Sequence, residues 1–391
     1  MPSSICKALN ELPTSLDHTY ERALERIPKE KSQHAHRLFQ CLVAAVRPLR
    51  AEELAEIFAV DFDQDVISNL MEGWRTENPE DAVLSTCSTL ISVIEDKGSR
   101  IVQFSHFSVK EFLTSDRLRT STVGTIRDYH VTLDAAHTLL ARACLAVLLQ
   151  LDENVDKKRL ETFPLALYAA QHWVDHAKYE DVASRIQHAM EELFNPRKPY
   201  LAAWVWIHDV EGSYQRSIDS LTQPPSPAEG TALYYAALYG FSGVVNHLVV
   251  KHGEDINYQR GPWGTPLHVT SRSEHAEVAH VLLQHNADVN ARSAHFYEWT
   301  PLHFASSHGH MKVVQLLLEH GSNVNAQSRT HKTPLYLASS NGYLAVVRLL
   351  LAHGADVHIR GGHSETPFQR VTRNQRVEVA QLLLEHGAVK E

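Results

Sequence analysis

The chain has 391 residues, of which 43% are apolar, 21% charged and 8% aromatic, a composition that excludes a disordered or collagen-like polypeptide and suggests two to four domains. Asp and Glu exceed Lys and Arg by 46 to 37, for a formal charge of -9. The excess lies before Gly230, with 24 basic against 34 acidic; from Gly230 onward the balance is 13 against 12, and neither part shows the basic stripe of a general nucleic-acid binder.

The segment from Met1 to Glu30 contains no apolar core of a signal peptide, and the longest apolar run, Ala143–Leu149, is far too short to span a bilayer. Cys6, Cys41, Cys87 and Cys144 are scattered without C-x-x-C spacing, as expected in a reducing compartment. A cytoplasmic or nuclear location is expected, without membrane contact.

A helical N-terminal segment, residues 1–33, leads into apolar helical patterns at 34–60 that break at Arg47-Pro48-Leu49. A third helix is expected over 82–90. A hairpin follows, with Ile91, Val93 and Ile94 on one strand, Asp96-Lys97-Gly98-Ser99 at the turn, and Ile101, Val102 and Phe104 on the return. Helix, helix, helix, hairpin is the order of a winged helix, assigned to 34–120. Ser108 and Glu111 have capping-box spacing and predict a further helix at 106–113. Residues 121–221 read as a helical bundle, and Pro224, Pro225 and Pro227 mark a stiff linker over 222–229.

From Gly230 the chain repeats itself. Thr231, Thr265, Thr300, Thr333 and Thr366 open near-identical blocks at an interval of about 33 residues. His252, His285, His320, His353 and His386 close the apolar part of each, at a constant distance from Thr except in the first copy, where His comes one position later. The blocks, most fully TPLHFASSHGHMKVVQLLLEHGSNVNA, resemble the ankyrin repeat, which implies five stacked helix pairs over 230–391. The physical logic is direct. Thr caps a helix and Pro occupies its first position, where a missing N–H costs nothing. Gly309 and Gly342 supply the turn between paired helices, and Val313, Val314, Leu317 and Leu318 form the buried stripe of the second helix. His320 faces the negative helix end, with Gly321 in the left-handed closing position. The fifth copy, with Gln369, Arg370, Arg373, Asn374, Gln375 and Arg376, reads as a solvent-facing cap. The fold class is therefore mainly α: a winged helix plus helical bundle followed by an ankyrin-repeat solenoid.

Segments of the first half resemble fungal NACHT–ankyrin proteins of the STAND class, relatives of NOD-like receptors. The matching stretches are Leu12–Arg22, Arg47–Leu49, Glu52–Leu54, Cys87–Ile91, His106–Leu113 and Phe163–His176. The resemblance implies a role in sensing or signalling. Such proteins place a nucleotide-binding domain before the winged helix, but no G-x-x-x-x-G-K-[ST] loop occurs here and the first match already begins at Leu12, so no nucleotide use is expected.

Other chemistries find little support. There is no G-x-S-x-G, and Cys144 lies in the apolar run ACLAVLL, so hydrolytic catalysis is not expected. His34 with His36, and His308 with His310, invite a metal reading, but H-E-x-x-H is absent and no cofactor is expected. A metal-dependent enzyme stays the remotest alternative. A DNA-binding regulator is nearer, using the winged helix; against it stand the acidic approach to the third helix, from Glu77 to Asp81, and a wing holding only Lys97 and Arg100. The favoured reading is a non-enzymatic protein that binds another protein on the concave face of the repeats. The loop between copies two and three, residues 286–299, is two residues longer than its neighbours and carries His295, Phe296, Tyr297 and Trp299. With Trp263, Arg329, His331, Arg360 and His363 on the other fingers, these are the candidate partner-binding residues. Phe296 and Tyr297 are expected to stand in solvent, whereas Trp299 can also pack beside its helix start.

Overall fold

The computed structural model describes residues 16–62, 81, 83, 85, 87, 89–96, 98–208 and 230–389. They fall into two compact units, the first within Met1–Leu193 and Ala202–Ser226, the second within Phe194–Leu201 and Pro227–Glu391. The proline linker at 222–229, the acidic stretch from Glu77 to Glu80, and Lys97 lie outside the described residues, as does most of the expected third helix.

In the first unit, α1 (Leu16–Glu25) buries Tyr20 and Leu24 on one face. Helix α2 (Ser32–Ala44) buries Ala35, Leu38, Phe39 and Val43. The break at Arg47-Pro48-Leu49 is more than a helix stop. Leu49–Arg50 forms a strand, β1, that pairs antiparallel with β3 (Ser99–Phe104), which in turn pairs with β2 (Ile91–Asp96). The sheet order is β1-β3-β2, with Gly98 in the left-handed region (φ 80°) at the hairpin turn. Two residues are too few for any alternation to show in sequence, so β1 carries no local signal. Its position is secured by the fully buried Glu53 on α3 (Ala51–Phe58), which accepts from Arg47 Nη1 and Nη2 (2.9 and 2.6 Å) and from the Arg50 backbone N–H (2.8 Å). A buried carboxylate is tolerated because its oxygens are satisfied by a cation and a backbone donor.

The helix expected at 106–113 forms as α4 (Phe107–Leu113), but its cap differs from the expectation. His106 is the N-cap and its Nδ1 accepts from the Ser108 N–H, while Ser108 Oγ bonds Tyr20 Oη at 2.7 Å. The bundle core is α5 (Leu133–Leu148), apolar on most of its circumference and packed against α2 and α6 (Ala166–Ala177). Cys144 lies on α5 and Cys41 on α2; both are fully buried, which pushes their thiols well above the usual range and makes them core groups.

The second unit is five helix pairs: α7 (Ala232–Tyr239) with α8 (Ser242–His247), α9 (Pro266–Arg272) with α10 (Ala276–Gln284), α11 (Pro301–His308) with α12 (Met311–Glu319), α13 (Pro334–Asn341) with α14 (Leu344–Ala352), and α15 (Pro367–Arg373) with α16 (Val377–Glu385). First helices pack on first helices and second helices on second, giving two layers. The expected stripe holds: Val313, Val314, Leu317 and Leu318 are the buried residues of α12. The closing histidines donate Nδ1–H to the carbonyl four residues back, His320 to Leu316, His353 to Leu349 and His386 to Leu382, each at 2.9 Å. Gly321 follows at φ 83°. The extra residue of the first copy is absorbed by a π-helical turn, Leu248–His252, which continues α8.

A polar ladder joins successive copies. Asn257 Oδ1 accepts the Asp288 N–H, Asn290 Oδ1 the Asn323 N–H and Asn325 Oδ1 the Asp356 N–H, all at 2.8 Å. The helix-to-helix turn requires a left-handed residue. Copies one, three and four use Gly240, Gly309 and Gly342, whereas copies two and five place Glu274 (φ 63°) and Gln375 (φ 57°) there. A side chain in that region costs about 1 kcal/mol. Gln375→Gly is therefore expected to stabilise the terminal repeat by roughly 0.5–1 kcal/mol, read as a higher urea midpoint, with no change predicted in the α15 cap.

Candidate protein-binding face

The third residue after each capping Thr determines how the next finger is held. In copy two, His268 is fully buried; its Nδ1 accepts the Thr265 N–H at 3.1 Å, and its Nε2–H donates to the carbonyls of Ala291 (3.1 Å) and Trp299 (3.0 Å). His303 does the same in copy three, accepting from the Thr300 N–H and donating to the Lys332 carbonyl at 2.9 Å. This pattern fits only a neutral imidazole protonated on Nε2. Burial holds both rings near pKa 4. In copy five Gln369 Oε1 replaces Nδ1, accepting the Thr366 N–H at 2.9 Å. The motif histidines thus hang the fingers from the starts of the first helices.

Fingers are also tied to one another. Ala294 N–H donates to Gln259 Oε1 (2.9 Å), Arg329 N–H to the Tyr297 carbonyl (2.8 Å), and Arg292 Nη1–H to the Gln327 carbonyl (3.1 Å). The long finger spends its two extra residues on a turn over 294–298.

Within it the aromatic residues part company. Trp299 is 8% exposed and shares a core cluster with Phe304, Tyr336 and Leu337. Its packing role is the one allowed for at its helix start; its buried Nε1–H has no acceptor among the described residues, so the ring serves for its area. Phe296 corrects the expectation of a solvent-facing ring. It is half-buried, with its centroid 5.1 Å from Trp263, 4.9 Å from Trp299 and 5.3 Å from Phe304, because the turn folds it back against the preceding finger and α11. Trp263 is likewise partly buried against this cluster. Tyr297 does stand out, 56% exposed. His295, Arg329, His331 and Arg360 are exposed, and the side chain of His363 is outside the described residues.

Backbone conformation adds a second distinction. Tyr297 (φ 50°), Glu298 (φ 55°) and His331 (φ 58°) occupy the left-handed region. A bulky aromatic there is disfavoured relative to Gly or Asn, so Tyr297 carries a local conformational cost. Sequence reasoning missed two neighbours. Arg272, at the end of α9, lies with its guanidinium carbon 4.2 Å from the Trp263 ring centroid, and Tyr258 on the preceding finger is 48% exposed. The periodicity carried a signal for Arg272, an Arg at the last position of a first helix, but its aromatic partner lies beyond the helix start, on the finger.

The repeats match the family model described as ankyrin repeats, in overlapping segments at 212–293, 233–328, 292–361 and 325–391. These are ankyrin repeats. Residues 23–123 match the model for the winged helix domain of GPI inositol-deacylase, which agrees with the three-stranded sheet and its helices. Among curated proteins, the chain is 31% identical over 303 residues to azaphilone pigments biosynthesis cluster protein L of Monascus ruber, covering 72% of this chain and 61% of that protein. The chain therefore spans under two thirds of that relative's length. A shorter likeness, 38% over 60 residues, links 15% of the chain to 4% of alpha-latrocrustotoxin-Lt1a of Latrodectus tredecimguttatus. Among the described residues no helix is long and apolar enough to cross a membrane.

Proposed function

We propose that this chain is a non-catalytic adaptor whose ankyrin fingers and first helices, the concave side of such arrays, bind another protein. Ankyrin repeats generally mediate protein–protein contact, and one observation above all supports the same role here: Tyr297 is exposed on a rigidly tied finger, in a backbone conformation that folding alone disfavours. The resemblance of the first half to NACHT–ankyrin proteins, together with likeness to a fungal protein, supports sensing or signalling as the role, and the scattered cysteines favour the cytoplasm or nucleus as the setting. Nucleotide, metal and DNA play no part in this reading.

The test is capture by the full chain carrying a photo-cross-linker at Tyr297 or, separately, at Lys312 on α12. Adducts with another protein should form from position 297 and not from 312. Equal yields from both positions, or adducts from 312 alone, would sink the reading.

A further inference from the structure

The charges of the ankyrin unit are sorted between its two layers. Of the 13 Lys and Arg in residues 230–391, eight lie in the finger tips (258–264, 291–299, 327–332, 359–365) and first helices; of the 12 Asp and Glu, Glu298 and Glu365 do, while Asp255, Asp288 and Asp356 sit at the finger bases, where each accepts the backbone N–H two residues on. Both tip acids are already paired, Glu298 with Arg292 at 3.2 Å and Glu365 with Arg370 and Arg373. The guanidinium and ammonium donors of Arg260, Arg272, Arg329 and Lys332 make no hydrogen bond among the described residues. The uncompensated charge of the finger tips and first helices is therefore positive, although the unit as a whole is nearly neutral. The Arg272 guanidinium carbon sits 4.2 Å from the centroid of the Trp263 ring, which holds the cation in place with its N–H donors open to an incoming carboxylate.

From this sorting, and resting on the protein-binding reading above, we infer that the partner segment is acidic: an extended stretch of polypeptide with Asp or Glu at intervals and an apolar residue to cover Tyr297. Packed helices lie about 8–10 Å apart, so Arg260 and Arg329, on the fingers either side of the long one, are separated by two such intervals, about 16–20 Å. An extended chain advances about 3.3 Å per residue, so about five or six residues reach from Arg260 to Arg329. Duplex DNA carries a charge every ~1.7 Å of axis, far denser than this face can neutralise, which favours a polypeptide over a nucleic acid. Coulomb steering by such a face also raises the encounter rate with acidic partners and weakens with salt.

The experiment is selection of a displayed random 16-residue peptide library on the full chain, followed by anisotropy titration of the selected peptides and of a 20-nucleotide single-stranded DNA. Enrichment of Asp and Glu is expected, with at least ten-fold weaker binding of those peptides to the R260E/R329E double variant and little change in melting temperature. Selected peptides that are neutral or basic, or whose affinity changes less than two-fold in the double variant, overturn the inference; if they still depend on Tyr297, the protein-binding reading survives. Tighter binding of the DNA than of any peptide, or no selected peptide at all, overturns the inference too. If cross-linking from position 297 also fails, the protein-binding reading falls with it.

Discussion

Trp299→Ala should destabilise the ankyrin unit by about 3–5 kcal/mol, the usual cost of truncating a large buried aromatic. The ring is 8% exposed, lies 4.9 Å from Phe296 and 5.1 Å from Phe304, and closes the cluster over Tyr336 and Leu337. Its removal would leave Phe296 with one flank open, while the main-chain carbonyl at 299 can still accept from His268. Urea unfolding of the full chain reads the effect as a lowered midpoint. A shift below about 1 kcal/mol would mean that the cluster collapses around the gap or was never tightly packed.

Acid should unlock the fingers before it unfolds the rest of the repeats. His268 and His303 are held near pKa 4, below the 6.5 of an unfolded chain. Above pH 6.5 both states are neutral and nothing is lost. As pH falls below 6.5 the unfolded state takes up protons first, and stability declines until the folded-state value near 4 is reached. The loss is about 2 kcal/mol per histidine at pH 5 and approaches about 3 kcal/mol below pH 4. Protonation also replaces the Nδ1 lone pair with a donor that faces the Thr265 or Thr300 N–H. The His268→Gln/His303→Gln variant, which borrows the chemistry of Gln369, should flatten the difference in urea midpoint between pH 7.5 and pH 5. An unchanged difference would assign the acid sensitivity to other groups.

The repeat unit was legible because its signals are local and five times over. Thr and Pro announce each helix start, the closing His and Gly each end, and the Val-Val and Leu-Leu pairs the buried stripe. Even the odd residue between Thr231 and His252 was visible as a length, though not as the π-helical turn that absorbs it. The winged helix was legible in its first two helices and its hairpin. Strand β1 was not, because a two-residue strand is defined by its partner, Ile101 and Val102 across the sheet. The cap of α4 went to His106 and not Ser108 for a similar reason: Ser108 is held by Tyr20, far away in the chain. At the candidate site the residue types were found and their burial was not. Phe296 and Tyr297 are adjacent in sequence, yet the turn at 294–298 sends one ring onto Trp263 and the other into solvent. Such a choice depends on contacts with Trp263 on the preceding finger and Phe304 on α11, which no local pattern encodes.

Whether Tyr297 is kept for binding and not for folding is tested most directly by the affinity of Tyr297→Gly for a protein captured by the full chain. The variant relieves a left-handed tyrosine, so its urea midpoint should stay equal or rise slightly, while binding weakens by about 2–4 kcal/mol as hot-spot truncations do. A midpoint that drops sharply, with the affinity of the surviving folded protein unchanged, would contradict a binding role and make Tyr297 a structural residue of its finger.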